Sequence, residues 1–522
     1  MQRVLSQDTI ISPKIQRVTG KQAWRENLRI CIFAADKIRS TLGPMGAYKL
    51  ITYNRGPEQV IKITKDAIAI LDELTIQYPP SVIIAESAKL QRQEAGDGVA
   101  TFVVILSALL KKADELMTMG FHANTIVHGY HLATKKALEI IDAKATSISG
   151  DMLDAVDCGR NLLTPKIRSF IRQAYPYAFT DGKYDLENVR FLRKNGGKIE
   201  DSSLIDGVVV KKEKAHPNMP ERLRNLRIAL IRERLGFDRL ETKMRGDGPI
   251  PMKLNLTSPS HIREYRETEV KLKTRGIEKL AELKVNVLLC EQPIEDYQKT
   301  LLLSQGIFAL ERVDKKDTQA VAKATGAHIV GNLQELTKKD IGYADELYTG
   351  KIELEKTTTL KGCKSATFLL RGNISQEIDE LETAIKNSLT VLKSGAEDAR
   401  MLPGGGAIEM QIAQELRSYA KTFGGREQVA IDAYANALLE VPRALAENYG
   451  LNATDTMLEL KQRHADGDLN CGVSDHSCTD WVCIEPIKTA RSLIRRAYEV
   501  SSLMLRIDSL LISKEIPKFH KK

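Results

Sequence analysis

Three glycine turns, set far apart along the chain, constrain this sequence more than any other feature. They are Thr41-Leu42-Gly43-Pro44-Met45-Gly46, Gly96-Asp97-Gly98 and Pro403-Gly404-Gly405-Gly406-Ala407, and each adjoins a helical pattern. Glycine lets the backbone turn tightly and approach a ligand closely. The middle turn runs into an apolar stretch, Phe102 to Leu110, that reads as a buried helix. The turn therefore sits at a helix N-terminus, where free N–H groups and the positive end of the helix dipole favour phosphate. Asp97 is then placed to hold Mg²⁺ through a hard oxygen. Alone, a Gly-Asp-Gly is equally an ordinary surface turn. For all three turns to serve one site, the chain must leave the first two on a long excursion and return with the third.

The pattern along the chain agrees with such a return. Apolar residues at three- and four-residue spacing (Leu28, Cys31, Ile32, Ala35, Ile38) predict a helix over 23–39. Val60 to Thr64 alternates like a strand, and helices are predicted over 81–93, from the Gly-Asp-Gly turn to Met119, and over 124–141. From 146 to 208 the pattern is mixed and ends in one apolar strand, Ser203 to Val210. An α/β section follows, with strands at 227–231 and 285–290. Inside it, Ser258-Pro259 opens a highly charged helix over 258–284, with Ser at the N-cap and Pro at the first helical position. A strand at 365–370 leads into a helix over 375–393. The remainder is helical again, over 407–420, 427–449 and 487–513.

Composition narrows the function classes. With 522 residues the chain is long enough for several domains with large cores. The formal charge is +9, but the 77 Lys and Arg are scattered among 68 acidic residues and interleave poorly with aromatics, which predicts a solvated surface and no nucleic-acid partner. No apolar run reaches the roughly 18 residues of a membrane span, and Met1 to Gly20 lacks the apolar core of a secretory signal. We therefore expect a cytoplasmic protein without membrane contact. The seven cysteines are 31, 158, 290, 363, 471, 478 and 483. The last three lie near His464 and His476 without a Cys-x-x-Cys pair, so free thiols are expected, not a zinc site.

The Leu-Gly-Pro-x-Gly, Gly-Asp-Gly and Gly-Gly-Gly-Ala segments, in this order and spacing, resemble those of the group II chaperonins, the thermosome type. Further segments carry the resemblance across nearly the whole chain: Asp201-Ser-Ser-Leu-Ile-Asp-Gly-Val-Val-Val210, Ala324-Thr-Gly-Ala327, Gly425-Arg-Glu-Gln428, Ala446-Glu-Asn448 and Leu505-Arg-Ile-Asp508. The resemblance implies an α+β multidomain chaperonin fold. A mostly helical equatorial nucleotide-binding domain would comprise 1–145 and 400–522, a mixed intermediate hinge domain 146–208 and 362–399, and an α/β apical substrate-binding domain 209–361. The charged helix near 258–284 would be the helical protrusion that acts as a lid. It also implies ATP and Mg²⁺ as cofactors, other chaperonin subunits in a homo- or hetero-oligomeric double ring, and non-native polypeptides as clients. The end of the chain, Glu515 to Lys522, lacks the Gly/Met-rich tail common in relatives, and partner subunits are expected to be needed for assembly.

Residue by residue, the resemblance assigns nucleotide contacts to Leu42, Gly43, Pro44, Gly98, Thr101, Gly404, Gly405 and Gly406. It places Glu485 near the ribose, Lys166 as a sensor of the terminal phosphate, Asp97 on the metal, and Asp66 as one catalytic carboxylate. At Asn387 the family carries the aspartate that activates water. An amide can orient water but cannot take its proton. Val99 and Ala100 stand where two threonines follow Gly-Asp-Gly, Met45 and Tyr48 replace a Lys and an Asp, and Ala67 replaces a frequent Gly. These departures converge on one site, which predicts nucleotide binding with weakened hydrolysis. A non-hydrolysing structural or holdase subunit of a mixed ring is the alternative.

The apolar residues of 291–308 (Ile294, Leu301, Leu302, Leu303, Ile307, Phe308) are open to two readings, a client-binding surface or the core face of a helix.

Overall fold

The structure is a computed structural model that describes residues 15–55, 58–74, 79–147, 165–180, 183–235, 274, 276–353, 355–475, 477–480, 483–507 and 509–513. It divides into two compact units, one formed by Met1–Arg168 with Asp379–Lys522 and the other by Ser169–Ile378. The chain therefore leaves the first unit and rejoins it, as the three turns require.

The first unit is built on helices α1 (Gly20–Arg39), α2 (Ala67–Leu74), α3 (Pro79–Ala95), α4 (Val99–Thr118) and α5 (Ala123–Lys144). To these the returning chain adds Ala407–Ala420, Arg426–Leu438, Glu440–Asn448, Ala453–Ala465 and Ile487–Leu505. Helix α4 is apolar nearly all round, with Phe102, Val103, Val104, Ile105, Leu106, Leu109 and Leu110 all buried. A helix of that kind must be surrounded. It packs against α1, the Arg426–Leu438 helix and the Ile487–Leu505 helix. The Tyr130 and Tyr434 rings meet edge to face at 5.5 Å. Both are fully buried, so each phenol needs a partner: Tyr130 donates to Leu109 O at 2.8 Å, and Thr134 donates to Tyr434 at 3.2 Å.

Strand Lys49–Arg55 pairs antiparallel with Glu58–Thr64 in a hairpin. Strand Arg400–Pro403 pairs with Thr146–Ser147 and Ile484–Pro486.

Two expected helices end early. The pattern over 427–449 breaks at Leu439 into two helices, since Pro442 has no N–H to continue the first. The pattern over 487–513 ends at Leu505, and Ser509–Ser513 is instead a strand paired antiparallel with Ile15–Thr19.

The second unit holds a seven-stranded sheet in the order Phe308–Leu310, Val287–Cys290, Arg222–Ile231, Gly342–Ile352, Glu355–Lys361, Val208–Val210, with Ile329–Val330 also on Arg222–Ile231. Its parallel strands Val287–Cys290 and Phe308–Leu310 are buried at every position, as strands of parallel sheets usually are. A three-stranded sheet joins Val189–Asn195, Ala366–Gly372 and Ser203–Asp206. The single strand expected over 203–210 is therefore two strands in two sheets. The break is Gly207, at φ +111° and pressed against the Leu360 carbonyl, where a Cβ would lie 1.9 Å from that oxygen.

The helix expected over 258–284 falls largely outside the described residues. Within 291–308, Ile294, Leu302, Ile307 and Phe308 are core residues, and Leu301 and Leu303 pack against that core. The core reading holds for this segment.

Candidate nucleotide site

The middle turn lies between α3 and α4. Gly96 and Gly98 both have left-handed backbone, at φ +77° and +80°, and Gly98 starts α4 without a side-chain cap. Uncapped, the first turn of α4 has N–H groups with no partner inside the helix. Asp97, between the glycines, is exposed, and Thr101 is half-buried in that first turn. Gln91 steadies the turn from α3 by donating to Asp97 O at 3.3 Å, and Arg496 in turn donates to Gln91 Oε1 at 3.3 Å.

The helix Ser375–Glu397, from Asp379 onward part of the same unit, lies directly on this turn. A Cβ on Gly96 would sit 2.7 Å from Thr390 Cβ, 2.8 Å from Val391 N and 2.9 Å from Asn387 O. Ser394 donates to the carbonyls of Glu94 and Ala95, each at 3.4 Å. Asn387 and Asp97 are thereby brought to the same place from nearly three hundred residues apart. The same helix is held at its other end by Tyr48, whose phenol donates to Glu380. Burial first, and Glu380 second, push that phenol above its ordinary range, and Lys65 Nζ lies 5.5 Å from the ring.

The first and third turns share a neighbour. A Cβ on Gly43 would lie 2.7 Å from Leu445, and one on Gly406 would lie 2.6 Å from Pro442. Both residues are on the Glu440–Asn448 helix, at the three-residue spacing that puts them on one face. From that helix Asn448 donates to Arg39 O at 3.0 Å and Leu42 O at 2.8 Å, fixing the first turn. Leu42 is buried, and Gly43 and Pro44 are half-buried. Gly406 at φ +84° begins the Ala407–Ala420 helix, again without a side-chain cap. Gly404 packs on the Ile484–Pro486 strand: a Cβ there would fall 2.3 Å from Cys483 Sγ and 3.2 Å from Glu485 Oε1. Gly405 O accepts from Val473 N at 2.8 Å. The Tyr449 phenol, nearby, is pushed up to about 12, by burial first and then by Cys483 and Asp475, so it stays a neutral donor at physiological pH.

The second turn meets this group through the Ile487–Leu505 helix, which starts immediately after Pro486. Thr489 and Leu493 would lie 3.2 and 3.3 Å from a Cβ on Gly98. The three turns thus converge. Two uncapped helix starts at left-handed glycines, with Asp97 beside one of them, suit a polyphosphate and a hard divalent cation.

Asp66 stands at the head of α2, where Ile68 N donates to its Oδ1 at 3.3 Å and its own N–H reaches Thr64 Oγ1 at 3.0 Å. It also forms a two-pronged ion pair with Arg92 of α3, with Nη1 to Oδ2 at 3.0 Å and Nη2 to Oδ1. Sequence reasoning passed over Arg92, which is an ordinary-looking charge in the last turn of a helix. It passed over Asn448 as a positioning residue too. Lys166 lies in the helix Pro165–Ala178, but its side chain is outside the described residues, so the phosphate-sensor assignment is not placed. Val99 is buried at the start of α4 and Ala100 half-buried. His464 Nε2 is bonded to Cys471 O at 2.8 Å, and Cys471 and Cys478 are buried, which gives these residues structural roles.

Among known proteins, the family model described as the TCP-1/cpn60 chaperonin family matches residues 35–515. A thermosome subunit of Desulfurococcus sp. (strain SY) is 35% identical over 99% of this chain and 97% of its own length. A thermosome subunit of Pyrococcus abyssi is also 35% identical, over 99% and 96%. Thermosome subunit alpha of Archaeoglobus fulgidus is 33% identical over 98% and 95%.

Proposed function

Since the chain belongs to the TCP-1/cpn60 chaperonin family, we propose that it is a chaperonin subunit that binds MgATP at the three glycine turns, hydrolyses it slowly, and encloses non-native polypeptide in a double ring with other subunits. The observation that supports this reading is the close approach of the Asn387 backbone carbonyl to Gly96, which sets residue 387 beside the Gly96–Gly98 turn. Its side chain is an amide, where the proposed reaction needs a proton acceptor.

Bound MgATP would supply the phosphoryl group and the divalent charge, with Asp97 as the metal ligand. The residues of this chain do the rest. The N–H groups at the starts of α4 and the Ala407–Ala420 helix bind and orient the phosphates. Glu485, which packs beside Gly404, would meet a ribose hydroxyl. Asn387 can align a water through its carboxamide but cannot accept the proton, and that contribution is worth about 10²–10⁴ in rate. Affinity loses less: Val99 and Ala100 forfeit about 1 kcal/mol for each hydroxyl bond that threonines would have made.

Assembly is supported by the hairpin Lys49–Arg55/Glu58–Thr64. Leu50 pairs with Ile63 and Thr52 with Ile61, so these side chains share one face, and Leu50, Ile61 and Ile63 are 65%, 51% and 50% exposed. Apolar residues grouped in this way mark a surface that another subunit covers. No helix among the described residues is long and apolar enough to cross a membrane.

The test is Asn387→Asp, alone and with Val99→Thr and Ala100→Thr. Wild-type protein should bind MgATP in an equilibrium assay and turn it over 10²–10⁴ times more slowly than ordinary chaperonins, and the triple variant should recover turnover. A wild-type rate equal to that of ordinary chaperonins would refute slow hydrolysis. Absence of nucleotide binding would refute the site itself.

A further inference from the structure

We propose that Arg92 is a positioning residue that withholds Asp66 from proton transfer, a second brake on hydrolysis that acts independently of Asn387. This rests on the slow-hydrolysis reading above and deepens it. With an amide at 387, Asp66 is the remaining carboxylate assigned to catalysis, and the structure shows what has become of it. Both carboxylate oxygens are engaged by the Arg92 guanidinium, one at 3.0 Å, and Oδ1 also accepts the Ile68 N–H. A carboxylate offers about four lone-pair sites, and a base must present one of them, suitably directed, to the water it deprotonates. Three donors on Asp66 leave little of it to offer.

The clamp is well placed to persist. Arg92 and Asp66 side chains are each 24% exposed, so solvent competes with them only partly. The planar fork of the guanidinium matches the two oxygens at once. Its backbone is tied to the site, since Arg92 O accepts from Gly96 N at 2.8 Å. Arg92 therefore sits one helical turn before Gly96. Asp66 meanwhile caps α2 through its Oδ1, so its carboxylate is fixed at both ends.

Two readouts test this, and one needs no nucleotide. Carbodiimide labelling of carboxyl groups, read by mass spectrometry on the intact apo protein, reports how available Asp66 is. Wild type should label weakly at Asp66. Arg92→Gln should label there at least several-fold more, and Arg92→Lys, which keeps the charge but loses the fork, should fall between. In the Asn387→Asp background, Arg92→Gln should raise ATP turnover tenfold or more while changing MgATP affinity less than threefold. Equal labelling of Asp66 in wild type and Arg92→Gln would overturn the proposal, as would increased labelling with no gain in turnover in the Asn387→Asp background. Circular dichroism of each variant shows that it is folded, and Arg92→Lys serves if Arg92→Gln is not. Fast wild-type hydrolysis would instead sink the slow-hydrolysis reading, while the labelling experiment would still show whether Arg92 clamps Asp66.

Discussion

Replacing Gly96 with alanine should separate the docking of the Ser375–Glu397 helix from everything else in the site. Two costs add. An L-residue in the left-handed region costs about 1–2 kcal/mol, and Gly96 has φ +77°. The new methyl would also lie 2.7 Å from Thr390 Cβ, 2.8 Å from Val391 N and 2.9 Å from Asn387 O. Two of these are backbone atoms and one is a branch point, so none is the free end of a side chain that can swing away. Overpacking of this kind costs about 1–3 kcal/mol. Gly120 provides the control: it has φ +90°, and nothing lies within 4 Å of a Cβ built there. Gly120→Ala carries the backbone cost alone, and the difference between the two variants isolates the contact. In urea denaturation of the purified protein followed by circular dichroism, Gly96→Ala should be destabilised by about 2–5 kcal/mol, clearly more than Gly120→Ala. Its affinity for MgATP should fall as well, because relief of the clash displaces the Gly96–Gly98 turn that carries Asp97. If the two variants behave alike and Gly96→Ala binds nucleotide normally, the 379–397 segment does not dock as described.

Two further predictions concern surfaces and buried charge. Leu50→Lys with Ile63→Lys removes two apolar side chains from the exposed hairpin face, each worth about 1.5–3 kcal/mol when buried. The large oligomer should dissociate in sedimentation velocity while the secondary structure is retained, and an intact ring would show that this face is not covered. Glu409, fully buried on the Ala407–Ala420 helix, has its carboxyl raised to about 7 by desolvation. A carboxyl raised on folding binds its proton more tightly in the native state, so its stabilisation is full below the ordinary carboxylate range and is lost as pH climbs toward about 7. Over that span the loss is on the order of 3 kcal/mol. Glu409→Gln should flatten the decline in denaturation midpoint between pH 5 and 8, and an unchanged slope would assign the decline elsewhere.

The parts of this molecule that could be read in the sequence are those that local chemistry dictates. Glycine turns beside apolar periods located the ends of α1, α3 and α4 and of the Ala407–Ala420 helix to within a few residues, since both the period and the turn act over one helical repeat. The failures come from partners distant in sequence. Ser203 to Val210 has the composition of one strand, but the Leu360 carbonyl at Gly207 divides it between two sheets. Ser509–Ser513 continues a helical pattern and becomes a strand because Ile15–Thr19 lies alongside it. For Ile294, Leu302, Ile307 and Phe308 the sequence left a client-binding surface and a core face both open, and only the assembled sheet shows that they are core.

The site divides along the same line. The departures Asn387, Val99 and Ala100 were visible residue by residue, because each is a change of functional group at a recognisable motif. What restrains the remaining groups was not visible. The pairing of Arg92 with Asp66 spans 26 residues and two helices, and no spacing rule links them. The two positions on which the proposal turns lie on different elements, residue 387 on the Ser375–Glu397 helix and Asp66 at the head of α2. A single return mutation at 387 leaves the clamp in place. Turnover regained from Asn387→Asp alone should accordingly stay below that regained when Arg92 is changed as well, and the gap between the two is the part of the brake that only the fold reveals.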